Sequence, residues 1–211
     1  MTSFSEALKV QHGITAIIGS GGKTSLLYRL ADELSKHGTV LITTTTHIFR
    51  PDHLPFAETA DGTVPLLCVG TPCENGKITR PKQSFDELLR LADYVLVEAD
   101  GSRRLPIKAH DTHEPVIPEN ADQVICVVGA SGLYKNAQQC VHRPQIFTAL
   151  TGEETATPKA VAALLQTENL HTRVLINQID VAEQAARELA SLLTCPTVLA
   201  SLQKGDILCS F

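Results

Sequence analysis

The chain has 211 residues, 43% of them hydrophobic, with a formal net charge of −5. That is apolar material enough for one sizeable α/β core. The acidic balance excludes broad electrostatic capture of nucleic acid or anionic membrane, and 4% aromatics with no Trp excludes a strip built to stack bases along a single strand.

Residues 1–12 carry Glu6 and lack a long apolar core, so no secretory signal is expected. No run reaches the apolar length needed to cross a bilayer. The cysteines Cys68, Cys73, Cys126, Cys140, Cys195 and Cys209 form no C-x-x-C pair, and they read as reduced thiols of a cytoplasmic protein. Residues 14–18 form an apolar strand ending in a glycine cluster. A helix follows with Leu26, Leu27, Leu30, Ala31 and Leu34 on one face, and Gly38 is placed to end it. Residues 39–44 read as a second strand. Strand, glycine loop, helix and strand make a βαβ unit with parallel pairing.

Residues 47–62 are irregular and hold Pro51 and Pro55. A strand is expected at 64–69, and a hairpin at 71–77 turning on Asn75-Gly76. Phe85, Leu88, Leu89 and Ala92 mark a second helix. Residues 94–97 form a strand that stops at Glu98-Ala99-Asp100-Gly101. Residues 101–119 read as a functional loop. A buried strand at 124–128 precedes a polar stretch, 131–145, expected to hold a loop and a short helix. Thr157-Pro158 starts a helix, with a capping hydroxyl before a first-turn proline. A strand at 174–176, a helix carrying Ala182, Ala185, Ala186 and Leu189, and a last strand at 197–199 complete the chain. The alternation predicts a single domain over residues 1–211, a three-layer α/β/α sandwich with a mostly parallel sheet. Ligands of such sheets gather at strand carboxyl ends, where Gly19, Thr44, Glu98 and Asn177 all fall.

The full phosphate-loop pattern G-x-x-x-x-G-K-[ST] would need a glycine at Ile17. The shorter G-x-x-G-K-T stands at Gly19, Ser20, Gly21, Gly22, Lys23 and Thr24. Its glycines let backbone N–H groups turn inward as an anion nest, and the helix behind it points its positive end at phosphates. Lys23 is expected to reach the β- and γ-phosphates of GTP or ATP. The Thr24 hydroxyl is a Mg²⁺ ligand candidate, and Ser25 follows in the same first turn. Glu98 and Asp100 are the carboxylates to hold the metal or position a nucleophile. Glu98-x-x-Gly101 resembles the switch motif of metal-centre-insertion GTPases, whose glycine amide senses the γ-phosphate.

Thr43, Thr44, Thr45 and Thr46 end a strand, where they suit β-structure and also offer hydroxyls to Mg²⁺ or the γ-phosphate; His47 beside them could orient water. Asn177-Gln178-Ile179-Asp180 resembles the N-K-x-D signature in which Asp reads guanine, with Gln178 replacing the Lys. Arg103 and Arg104 suit a transferred phosphate or an anionic second substrate. His110, Asp111, His113 and Glu114 match no strong metal spacing and read as loop structure.

Together, the phosphate loop, Thr-Thr-Thr-His, Val-Glu-Ala-Asp-Gly-Ser-Arg-Arg-Leu-Pro-Ile-Lys-Ala, His-Glu-Pro-Val-Ile-Pro and Val-His-Arg resemble the YqeC family from about residue 14 to 180. Residues 97–118 are the most specific part. The resemblance implies a role in maturing the cofactor of a selenium-dependent molybdenum hydroxylase, which would be a partner. The expected activity is Mg²⁺-dependent nucleotide hydrolysis or switching, GTP ahead of ATP, with Lys23, Glu98, Asp100, His47 and Arg103 as catalytic candidates. A small-molecule kinase or ATP-dependent ligase, and a nucleotide-binding scaffold without turnover, are the competing readings. Cys73, in the hairpin turn, is not expected to carry sulfur or selenium.

Overall fold

The computed structural model describes residues 2–210. Nine strands form one sheet: β1 (Gly13–Gly19), β2 (Val40–Thr44), β3 (Phe56–Ala57), β4 (Leu66–Val69), β5 (Tyr94–Glu98), β6 (Gln123–Gly129), β7 (Arg173–Asn177), β8 (Thr197–Ser201) and β9 (Asp206–Ser210). Their order is β9-β8-β7-β6-β1-β5-β2-β4-β3. Every pairing is parallel except β8 with β9.

Seven helices accompany the sheet: α1 (Phe4–Ala7), α2 (Lys23–Leu34), α3 (Phe85–Leu89), α4 (Ala137–Cys140), α5 (Pro144–Thr151), α6 (Pro158–Glu168) and α7 (Ile179–Leu192). Side chains alternate across the strands, so both faces are apolar, as a parallel sheet covered on both sides requires. Ile17, Ile42, Leu96, Ile125 and Leu175 pack with Leu26, Leu27 and Leu30 of α2 and with Phe4 of α1. Ala16, Ile18, Cys126, Val128 and Ile176 pack on the opposite face with Phe147, Leu164 and Leu189 of α5, α6 and α7. Ile14, Leu41, Val95 and Val97 complete that second layer with Phe85 and Leu88 of α3. The expected three-layer α/β/α architecture is present.

Differences from expectation have local causes. Helix α2 ends at Leu34, and Gly38 serves a close approach instead: a Cβ there would lie 2.6 Å from an Asp93 oxygen, which binds the Thr39 N–H at 2.8 Å. The strand at 197–201 is not the last, because β9 turns back antiparallel along it. Residues 101–119 contain a two-residue strand, Ile107–Lys108, paired with Val141–His142. That pairing stitches the long loop to the segment before α5. The expected hairpin forms with Asn75 in the left-handed region at its tip, φ 60°. Thr157 caps α6 by accepting from the Ala160 N–H at 3.1 Å.

The chain leaves β1 for β2 on one side and later returns past β1 to β6 on the other. Strand order therefore reverses around β1, and the crevice beyond its carboxyl end is where such a sheet places its ligand.

Candidate functional site

A cleft of about 1400 Å³ opens at that end, lined by Gly21, Gly22, Lys23, Thr24, Ser25 and Glu98, among others. Its floor is the glycine loop between β1 and α2. Gly19, Gly21 and Gly22 all have positive φ, at 86°, 86° and 138°. A Cβ on Gly21 would stand 2.5 Å from the Gly129 backbone and 2.8 Å from the Pro106 carbonyl. The loop is thus clamped between β6 and the 101–119 segment, and only glycine fits. Ser20 is fully buried and its hydroxyl donates to the Leu105 carbonyl, tying the loop to that segment again.

Lys23 begins α2 and is 4% exposed. Its Nζ donates to the Gly19 carbonyl at 2.8 Å and to Ser102 Oγ at 2.9 Å. It stands 3.0 Å from Asp100 Oδ1 and 4.0 Å from Glu98 Oε1. The two acidic residues reach the same lysine but do different things. Glu98, the last residue of β5, faces the cleft and accepts from Thr24 Oγ1 at 2.8 Å. Burial pushes its carboxyl above the ordinary value, against the pull of Lys23 and Thr24.

Asp100 lies beneath the loop with no exposed surface. Its Oδ2 accepts from the Gly19 N–H and pairs with His110 Nε2, each at 2.8 Å, and stands 3.4 Å from Lys108 Nζ. Burial opposes ionisation there, but the hydrogen bond from His110, with Lys23 and Lys108, holds the Asp100 carboxyl below its ordinary value. His110 is itself held by Glu168 at the end of α6, through its backbone N–H and through Nδ1, both at 2.7 Å. Burial opposes its charge, yet the two carboxylates raise the imidazole above 6.5. Lys108 is pulled down to about 8 by burial despite Asp100. It contacts Glu114 at 2.6 Å, and Glu114 also binds Arg143. Ser102 and Lys108 belong to the segment that carries the resemblance but were given no role in the site, and Glu168 was not singled out at all. The Ile107-Lys108-Ala109-His110 alternation was the available signal, since it puts two polar groups on one side of an extended segment.

The other expected residues distribute as follows. Ser25 and His47 are exposed and line the cleft. Thr43 and Thr44 are buried and spend their hydroxyls on the carbonyls of Val69 and Glu98, each at 2.8 Å. Asn177 is buried, its Nδ2 donating to the Gly21 carbonyl at 2.7 Å and its Oδ1 accepting from the Leu202 N–H at 2.9 Å. It fastens the glycine loop to the turn after β8. Asp180, in the first turn of α7, is exposed and lines the cleft beside Gln178 and Gln203. Arg103 and Arg104 are exposed and line the same cleft. Asp111 and His113 are exposed, and no group of three or more His, Cys, Asp or Glu among the described residues is placed to hold a metal by itself. The six cysteines are free.

The family model for YqeC, described as the YqeC protein, matches residues 15–145. This chain belongs to the YqeC family. A relative in Escherichia coli (strain K12), the "Uncharacterized protein YqeC", is 38% identical over 167 residues, covering 72% of this chain. The chain spans 64% of that relative's length. The YqeC match takes in the glycine loop, Glu98, Asp100, Arg103, Arg104 and the Lys108–His110 support, whereas Asn177 and Asp180 lie beyond it. No helix among the described residues is long and apolar enough to cross a membrane.

Proposed function

We propose that the cleft binds a nucleoside triphosphate with Mg²⁺, GTP ahead of ATP, and hydrolyses it. One observation carries the reading: the Thr24 hydroxyl and the Glu98 carboxylate, 74 residues apart in sequence, meet at 2.8 Å beside a buried lysine. A helix-start hydroxyl and a neighbouring strand-end carboxylate are the pair that shares Mg²⁺ in phosphoryl-transfer sites of this pattern. The fit also has an electrostatic side. Burial makes ionised Glu98 unfavourable, so a cation at the cleft mouth would relieve it. A bound Mg²⁺ would neutralise charge on the β- and γ-phosphates. The chain's own part is to present inward N–H groups of the glycine loop, the positive end of α2 and Lys23.

Asp180 supports the guanine preference because it is exposed on the cleft wall at the start of a helix, free to accept two hydrogen bonds from a base edge. Asn177, three residues earlier, ties the same strand end to the glycine loop through the Gly21 carbonyl. We further propose, from the likeness of residues 97–118 to the YqeC pattern, that turnover serves the maturation of a selenium-dependent molybdenum hydroxylase cofactor.

Titration of GTP and ATP with and without Mg²⁺ tests the reading. Lys23→Ala is expected to weaken triphosphate binding about a hundredfold or more, since it removes a charge-assisted contact to phosphate. Unchanged affinity would sink the assignment. Asp180→Asn is expected to weaken GTP about tenfold and to favour xanthosine triphosphate, whose base offers the complementary group. An unaltered base preference would refute the guanine reading and leave nucleotide binding standing.

A further inference from the structure

The cleft is larger than one nucleotide needs. Ligand pockets run to about 300–1,000 Å³, and this one reaches about 1400 Å³. Its charge is also out of keeping with the chain. Six of the 18 Lys and Arg residues line it, against four of the 23 Asp and Glu, in a protein of net charge −5. The six are not equivalent. Lys23 belongs to the glycine loop. Arg50 and Lys77 lie over the rings of Phe56 and Phe49, at 4.5 and 5.2 Å from the centroids. Arg143 is ion-paired with Glu114 and stands 3.9 Å from Asp111. That leaves Arg103 and Arg104.

Arg103, Arg104 and Arg143 all line the cleft. Arg103 and Arg104 follow Ser102, whose Oγ lies 2.9 Å from Lys23 Nζ. Arg143 is tied to the same segment because Val141–His142 pairs with Ile107–Lys108 and because Glu114 binds its guanidinium. All three adopt left-handed backbone, with φ of 48°, 61° and 67°. Non-glycine residues adopt that region at an energetic penalty, and such strain gathers at ligand-binding positions. His142 lines the cleft too; burial, with Lys108 and Arg103 nearby, lowers its imidazole below 6.5, so it meets a ligand as a neutral donor or acceptor.

The triphosphate's charge is already answered by Lys23, the loop N–H groups and the α2 terminus in the proposed reading. The two exposed guanidinium forks of Arg103 and Arg104 are suited to planar recognition of another oxyanion. We propose that the cleft takes a second ligand beside the nucleotide, a small molecule bearing a phosphate or carboxylate group, gripped by Arg103 and Arg104. The identity of its neighbour rests on the nucleotide reading; the anion site itself does not.

The test is calorimetric titration of pyrophosphate, inorganic phosphate and citrate into the protein saturated with Mg²⁺ and a non-hydrolysable GTP analogue. One anion per chain is expected to bind with nucleotide in place, and pyrophosphate against citrate reports whether phosphate or carboxylate is preferred. The double variant Arg103→Gln, Arg104→Gln has both changes on exposed side chains, so the fold is retained. It is expected to weaken the anion about tenfold or more, the loss of one to two charge-assisted contacts. No anion binding beside the nucleotide, or equal binding by the double variant, overturns the proposal. Loss of nucleotide affinity in place of anion affinity also overturns it, because the arginines would then serve the triphosphate. Should wild type bind no nucleotide, that reading fails separately, and the same anion titration into the protein alone decides the arginine site.

Discussion

The two walls of the cleft are built on opposite principles. The glycine-loop wall is backbone, fixed from below by buried charge: Asp100 holds the Gly19 N–H and Lys23, and His110 and Lys108 hold Asp100. The arginine wall carries Arg103 and Arg104 as long exposed side chains on an irregular segment, joined to the rest by a two-residue strand pair, with half-buried Arg143 ion-paired to Glu114. A rigid N–H cradle suits a group whose geometry never varies, such as a polyphosphate. Flexible guanidinium arms suit a ligand that enters, reorients and leaves. The contrast puts buried structural support under one wall and exposed charge on the other, and it can be broken at several points.

The largest effect is expected at Asp100. Asp100→Ala leaves Lys23, Lys108 and His110 without their shared partner in a buried place. Breaking a buried pair from one side costs about 3–5 kcal/mol. The same truncation at exposed Arg103 is expected to stay within about 0.5 kcal/mol. Denaturant unfolding of the two variants checks this. If Asp100→Ala unfolds at the wild-type midpoint, Asp100 is not the support under the loop, and the distinction between the walls loses its physical basis.

Glu98 sharpens the comparison inside the first wall. It stands two residues from Asp100 and touches the same lysine, but it faces the cleft. Glu98→Gln keeps an acceptor for the Thr24 hydroxyl and removes a charge that burial already disfavours. Stability is expected to change by less than about 1.5 kcal/mol, the scale of one hydrogen bond. The Mg²⁺ enhancement of nucleotide affinity is expected to fall about tenfold, as a lost carboxylate contact to a divalent cation would require. Comparison of titrations with Mg²⁺ and with chelator measures it; retention of the full enhancement removes Glu98 from the metal site.

How legible each wall was follows from how its contacts are made. The glycine loop, its strand and its helix are contiguous, so glycine placement, the Lys-Thr pair and the 3.6-residue apolar period expose them directly. Glu98 could be found because strand ends converge in a parallel sheet. The support under Asp100 could not, since His110 and Glu168 are 58 residues apart and nothing in either local pattern names the other. The sequence placed Asp100 with Glu98 on one side of the strand, and both do reach Lys23. Alternation says nothing of depth, and depth is what separates their roles. The strand β9 was missed for a related reason: residues 206–210 are short and sit at the sheet edge, where half-exposed residues leave a weak period.

The smallest effect is a pH dependence, and it tests whether the buried support acts as a charged unit. His110 has its imidazole raised above 6.5 by Asp100 and Glu168. The folded state therefore holds that proton more tightly than the unfolded chain does. The resulting stability is complete below about pH 6.5 and drains away as pH climbs through the raised value. Asp100, held below its ordinary 3.8, works in the other direction: its contribution is present above that value and is lost as pH falls through the lower one. Both are in place together between roughly pH 4 and 6.5. Lys108 titrates at about 8, so scans are best kept below that pH. Between pH 5.5 and 7.5 the wild-type melting temperature is expected to fall on the order of a few degrees more than that of His110→Gln, which carries no titrating proton. Parallel curves for the two proteins would mean that His110 is a neutral hydrogen-bonding spacer. The positive charge facing Asp100 would then come from Lys23 and Lys108, and the division between a rigid cradle and flexible arms would rest on burial rather than on a shared proton.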